Sequence, residues 1–196
     1  MSNLIDLWLP ILASAAIVFV ASSIIWMALP IHKNDYKGAA AAEGPLLDTL
    51  RAAALKPGVY MLPWCNGGKD NAEATKAKMA AGPWAMIYVM KGNCGMGRTL
   101  GLWFVHLVIV GVFVAYVASH ANLGPAPHYL SVFRVVGAAA LLAHAGYALP
   151  MCIWHAHPWS LLPGKLFDAV VYSLLTAGTF AWLWPKAAAA IPALQG

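Results

Sequence analysis

His106 and His144 sit inside two separate apolar runs of this sequence, and Asp168 sits in the first turn of a third. Cys152, His155, His157 and His32 flank those runs. Two facing imidazoles can ligate a haem iron, and several histidines with a thiolate and a carboxylate can hold a transition metal. His106 and His144 are therefore a candidate cofactor pair, and Cys152, His155, His157 and Asp168 a candidate metal set. The structural alternative is preferred. In it each histidine hydrogen-bonds a carbonyl or hydroxyl in a helix seam, while Asp168 pairs with a histidine or with Lys165. Ionisable groups among apolar helices are expensive and seek such partners.

A second soft-ligand set comprises Cys65, Met90, Cys94 and Met96. It raises copper(I) binding or a thiol pair between Cys65 and Cys94. The outcome depends on how two predicted strands, Val59 to Trp64 and Trp84 to Met90, are paired. A parallel pair brings Cys65 and Cys94 to one end, whereas an antiparallel ribbon sends them to opposite ends. A cytoplasmic setting would disfavour a disulfide.

The elements that must position these residues are apolar helices. Leu7 to Ile31 (LWLPILASAAIVFVASSIIWMALPI) holds no charged side chain. At about 1.5 Å per residue it reaches about 37 Å, enough to cross a hydrocarbon core of about 30 Å. Three more apolar runs follow, at about 99–119, 128–149 and 166–184, the last two carrying Arg134 and Asp168. The whole chain is 61% hydrophobic and 10% charged, against about 25% charged in ordinary globular domains. The fold class predicted is an all-α membrane protein, a bundle of four transmembrane helices. A small α+β extramembrane insertion, 32–98, separates the first span, 7–31, from the remaining three within 99–186.

Small residues mark where these helices should meet. Ser14, Ala21 and Ala28 recur every seven residues in the first span. Gly111, Ala115 and Ser119 recur every four in the second, and Ala169, Ser173, Ala177 and Ala181 every four in the last. Such ridges let backbones approach closely. Within the insertion, Gly44-Pro45 opens a short helix with Leu46, Leu47, Leu50 and Ala54 on one face. Asn71 can cap a second helix, which ends at Gly82-Pro83. The Trp- and Pro-rich stretch Pro150 to Lys165 reads as an interfacial loop.

Basic residues predict the orientation. Lys33, Lys37, Lys78, Lys91 and Arg98 border the insertion, Lys165 lies in the third loop, and the second loop has no basic residue. The positive-inside rule then places 32–98 in the cytoplasm and both termini outside. His106 and His144 come to similar depths, about 10 Å below the same face. The N-terminus lacks the basic region of a signal peptide.

Several function classes find no support. No basic stripe interleaved with aromatics suits a nucleic acid. No phosphate-cradling glycine loop, G-x-S-x-G elbow or H-E-x-x-H motif occurs. No inverted repeat supports a transporter, which ranks third. The first reading is a structural or accessory subunit whose partners are the bilayer and other membrane-protein subunits or a second copy. The rival is a haem- or metal-binding electron-transfer protein.

The stretches LWLPILASAAIVFVASSIIWMALPIHKNDYK, PGVYMLPW and FDAVVYSLLTAGTFAWLWP resemble those of small four-span bacterial inner-membrane proteins of unassigned function. The resemblance spans nearly the whole chain. It implies four spans and a location in the bacterial cytoplasmic membrane, and carries over no catalytic residue.

Overall fold

The computed structural model describes residues 4–65, 72–92, 95–124 and 126–185. Among the described residues, four helical segments are long and apolar enough to cross a membrane: Leu4–Met27, Met96–His120, Tyr129–Trp154 and Trp159–Leu183. They include α1 (Trp8–Met27), α4 (Met96–His120), α5 (Tyr129–Ala145) with α6 (Ala148–Trp154), and α7 (Leu162–Leu183). Between α1 and α4 in sequence come α2 (Glu43–Ala52), β1 (Gly58–Leu62), α3 (Ala72–Ala81) and β2 (Ala85–Val89). The chain divides into two compact units. One joins 1–36 with 96–196, and the other is 37–95.

In the helical unit, α1 packs on α4, α4 on α5, α5 on α7 and α7 back on α1, which closes a ring of four. The most extensive of these contacts is between α5 and α7. Small residues explain it. Ala169, Ser173 and Ala177 are buried, and Ala181 packs against the core. Gly137 of α5 faces Ala177 so closely that an added Cβ would sit 3.4 Å from that methyl group. Val132, Val136 and Ala140 from α5 complete this core with Phe180. Hydroxyls within the bundle bond back to carbonyls of their own helix: Ser14 to Ile11, Thr176 to Tyr172 and Thr179 to Leu175. They satisfy themselves locally and let a small polar residue occupy a packed seam.

The α1 seam differs from the heptad of Ser14, Ala21 and Ala28. The buried stripe runs Leu7, Ile11, Ser14, Ala15, Val18, Ser22 and Ile25. A strict seven-residue repeat drifts about 20° per heptad around a straight α-helix. Ala21 is accordingly half-buried, and Ala28 is exposed just past the helix end. The α1–α4 seam instead relies on Gly111, where an added Cβ would stand 3.2 Å from Ile11 Cγ2 and 3.5 Å from the Ile11 carbonyl oxygen. Ala115, one turn on, is fully buried. Near the other end of this seam Phe19 meets Phe104 edge-on, and Trp103 Nε1 donates to Ser22 Oγ at 3.0 Å.

Span three is longer than its apolar run suggested. His128 caps α5, its Nδ1 accepting the Leu130 N–H at 3.2 Å. The helix halts at Gly146, then resumes as α6 through Pro150 to Trp154. Pro150 falls in the first turn of the new helix, where its missing N–H costs little. The segment read as a loop from Pro150 is thus helical over its first five residues, and a 3-10 turn, Trp159–Leu161, leads into α7.

In the second unit β1 and β2 pair antiparallel, Gly58 opposite Val89 and Leu62 opposite Ala85. The parallel alternative, which would have gathered the cysteines, is not the one formed. Cys65 follows β1 beyond the end opposite to the one where β2 finishes, and its thiol is free. Cys94 and Asn71 lie outside the described residues. Helix α2 stops at Ala52, with Ala54 already at φ +47°, so Ala54 does not extend its apolar face. Leu46 and Leu47 are exposed.

The Gly111 contact generates a stability prediction. Gly111→Leu should destabilise the bundle by about 1–3 kcal/mol, because a packed helix pair must part to admit the side chain. It would be read as a fall in thermal midpoint in detergent. Gly101→Leu, on the same helix with nothing within 4 Å of the added Cβ, should leave the midpoint unchanged or raised. Equal losses from both variants would contradict this packing.

Candidate functional site: a buried His–Asp latch beside an apolar cavity

Where α1 ends the chain turns through Pro30–His32, a single 3-10 turn that points His32 back toward α7. His32 is 6% exposed, although it is a titratable residue at the end of a helix. Both ring nitrogens have carboxylate partners. Nδ1 lies 2.7 Å from Asp35 Oδ2, and Nε2 lies 3.0 Å from Asp168 Oδ1. The second oxygen of Asp168 accepts the Trp26 indole N–H at 3.2 Å. The Trp26 ring stacks on the imidazole, centroids 4.0 Å apart and planes 4° from parallel. Gly164, in the first turn of α7, leaves the room this needs. An added Cβ there would stand 3.1 Å from His32 Cε1.

Ionised carboxylates only accept hydrogen bonds, so satisfying both of them requires a proton on each ring nitrogen. This geometry favours the imidazolium form of His32. Burial disfavours that charge, but the hydrogen bonds to Asp35 and Asp168 and the attraction of both carboxylates outweigh it. The pKa is raised from 6.5. Removing one partner of such a buried pair typically costs about 3–5 kcal/mol, since the other charge is left uncompensated.

Asp168 and Trp26 also form part of the wall of a cavity of about 790 Å³. Ser22 and Ser23 of α1, Trp103 of α4, His144 of α5, Cys152 of α6 and Tyr172 of α7 contribute further wall. His157 and Lys165 complete its polar lining together with Thr99 and Tyr147, and the remainder is apolar, with Met27, Met96, Leu100, Met151 and Leu162. The Lys165 ammonium stands 4.4 Å from the centroid of the Trp26 ring.

The structure thus gathers five of the residues singled out by type and spacing, Met96, His144, Cys152, His157 and Asp168, around one cavity. His106 and His155 are not part of its lining. His106 is exposed and stacks on Trp103 of its own helix at 5.3 Å, whereas His144 is half-buried and meets Tyr172 edge-on at 5.5 Å. His155 is held by the Tyr147 hydroxyl at 2.8 Å. Among the described residues no three His, Cys, Asp or Glu side chains converge as metal ligands. Asp168 does pair with a histidine, and the partner is His32, 136 residues away. Trp26 and Asp35 complete this cluster, and neither is marked out by residue type alone. The signal available was the spacing of Trp26, His32 and Asp35 across the polar exit of an uncharged helix.

The sign of the His32 shift sets a pH dependence. A raised folded-state pKa contributes stability that is fully present below the unfolded value near 6.5 and is lost as pH rises through the folded value. The thermal midpoint in detergent should therefore fall as pH increases above 6.5. His32→Gln should lower the midpoint at acidic pH and flatten that decline. An unchanged pH profile in the variant would show that His32 is not the titrating latch.

No family model, no curated protein and no solved structure matches this chain.

Proposed function

We propose that the chain is a multi-pass integral membrane protein serving a structural or accessory role, packed within a membrane complex of other subunits or copies of itself. The observation that carries this reading is the use made of its buried ionisable groups. His32, Asp35, Asp168 and Trp26 satisfy one another and tie α1 to α7, so the charged cluster works as a fastener between helices. The outer surface supports residence in a bilayer. Val20 and Ile24 on α1, Val105, Ile109 and Phe113 on α4, and Leu174 on α7 are all exposed. Exposed apolar side chains on successive turns of long apolar helices suit contact with lipid or with another protein.

The bacterial cytoplasmic membrane, with the termini outside and 32–98 inside, is the orientation favoured by Lys33, Lys37, Lys78, Lys91 and Arg98. In that orientation the His32–Asp168 latch lies at the cytoplasmic end of the bundle.

Two measurements on the full chain test the reading. Alkaline carbonate should leave it in the membrane pellet, and release into the supernatant would contradict integral insertion. After mild detergent extraction its native mass should exceed that of the 20.8 kDa chain, detergent subtracted. A monodisperse single chain would contradict the subunit role.

A further inference from the structure

The cavity beside the latch has features that the latch does not explain. Its volume, about 790 Å³, falls within the range of about 300–1,000 Å³ typical of small-molecule sites. Much of its wall is flexible and apolar, with Met27, Met96 and Met151 joined by Leu100 and Leu162. Unbranched thioether side chains adapt to irregular or flexible partners. One cation, Lys165, lines the same space. Asp168 lies one helical turn further along α7, but both its oxygens are taken, by His32 and by Trp26. Lys165 makes no salt bridge among the described residues, and its ammonium rests on the Trp26 ring. The His157 side chain, also in the wall, makes no hydrogen bond among the described residues.

An unpaired ammonium on an apolar cavity is complementary to a molecule with an alkyl body and an acidic head. We propose that this cavity binds a single-chain amphiphile bearing a carboxylate, a long-chain fatty acid, with its head on Lys165 and its chain along the methionines. The head carries one charge because the site presents one ammonium. A phosphate monoester, with about −1.5 to −2 charge and three strong acceptor oxygens, calls for a cluster of donors such as paired arginines. Lys165 bound in this way exchanges its contact with the Trp26 face for a charge-assisted hydrogen bond. The site is independent of whether the chain works alone or as a subunit.

Native mass spectrometry of the purified full chain in a neutral detergent tests the assignment, using palmitate, hexadecanol and hexadecyl phosphate as probes. Palmitate should bind saturably at one molecule per chain, and hexadecanol about tenfold more weakly, the loss of one charge-assisted contact. Lys165→Gln should lower palmitate affinity to that of hexadecanol and leave hexadecanol unchanged, while Lys165→Arg should retain the preference for palmitate. Ala148 of α6 also lines the cavity, and Ala148→Trp, which fills it, should abolish both. Absence of saturable palmitate binding, equal affinity for palmitate and hexadecanol, or a Lys165→Gln variant that still prefers palmitate would each overturn the proposal. Tighter binding of hexadecyl phosphate than of palmitate would overturn the carboxylate assignment.

Discussion

The helical unit depends on one buried charge and the groups that must surround it. An imidazolium removed from water is tolerated only where carboxylates and hydrogen bonds replace its hydration. His32 meets that condition with Asp35 from its own turn, Asp168 from α7 and the Trp26 ring against its face. Because Asp168 is in α7, the condition can be met only when the end of α1 lies against the start of the last helix. A local electrostatic requirement thereby fixes a contact between α1 and α7 and closes the ring of four.

Packing makes the same contact selective. Helices apolar enough to cross a membrane gain little from hydrophobic association within lipid, so shape and a few polar ties decide which faces meet. Gly111 against Ile11 and Gly137 against Ala177 set two seams by close approach, and Gly164 gives the His32 ring its seat. The self-satisfied hydroxyls of Ser14, Thr176 and Thr179 fill these seams without binding across them. The polar tie at the latch and the Trp103–Ser22 bond therefore carry directional information that the apolar seams lack.

Much of this was legible in the residues. An uncharged run from Leu7 to Ile31 and three later runs predicted the four long apolar helices, and the four-residue spacing of Ala169, Ser173 and Ala177 marked the face of α7 that is buried. Other features were hidden for physical reasons. The heptad in α1 failed because small side chains mark an interface only where a neighbour is near, and the stripe around Val18 was the one covered. Helix α6 was masked by Pro150, which breaks a helix in its interior but is tolerated in a first turn. The pairing of β1 with β2 was open because the connection permits either direction, and the structure forms the antiparallel ribbon. At the site, Asp168 stood out as a carboxylate in an apolar helix, and a histidine partner was among the expectations. Which histidine was not readable. Asp168 is the only acidic residue after Glu73, so every histidine in the chain competed for it until tertiary contact selected His32.

The central claim is that His32 and Asp168 hold the ring closed by acting on each other. A double-mutant cycle with His32→Gln, Asp168→Asn and the pair, followed by reversible unfolding in mixed micelles below pH 6.5, tests it most directly. Charge-assisted hydrogen bonds of this kind predict a coupling energy of about 1.5–3 kcal/mol, the double variant losing that much less than the sum of the two single losses. Additivity within about 0.5 kcal/mol would contradict the account.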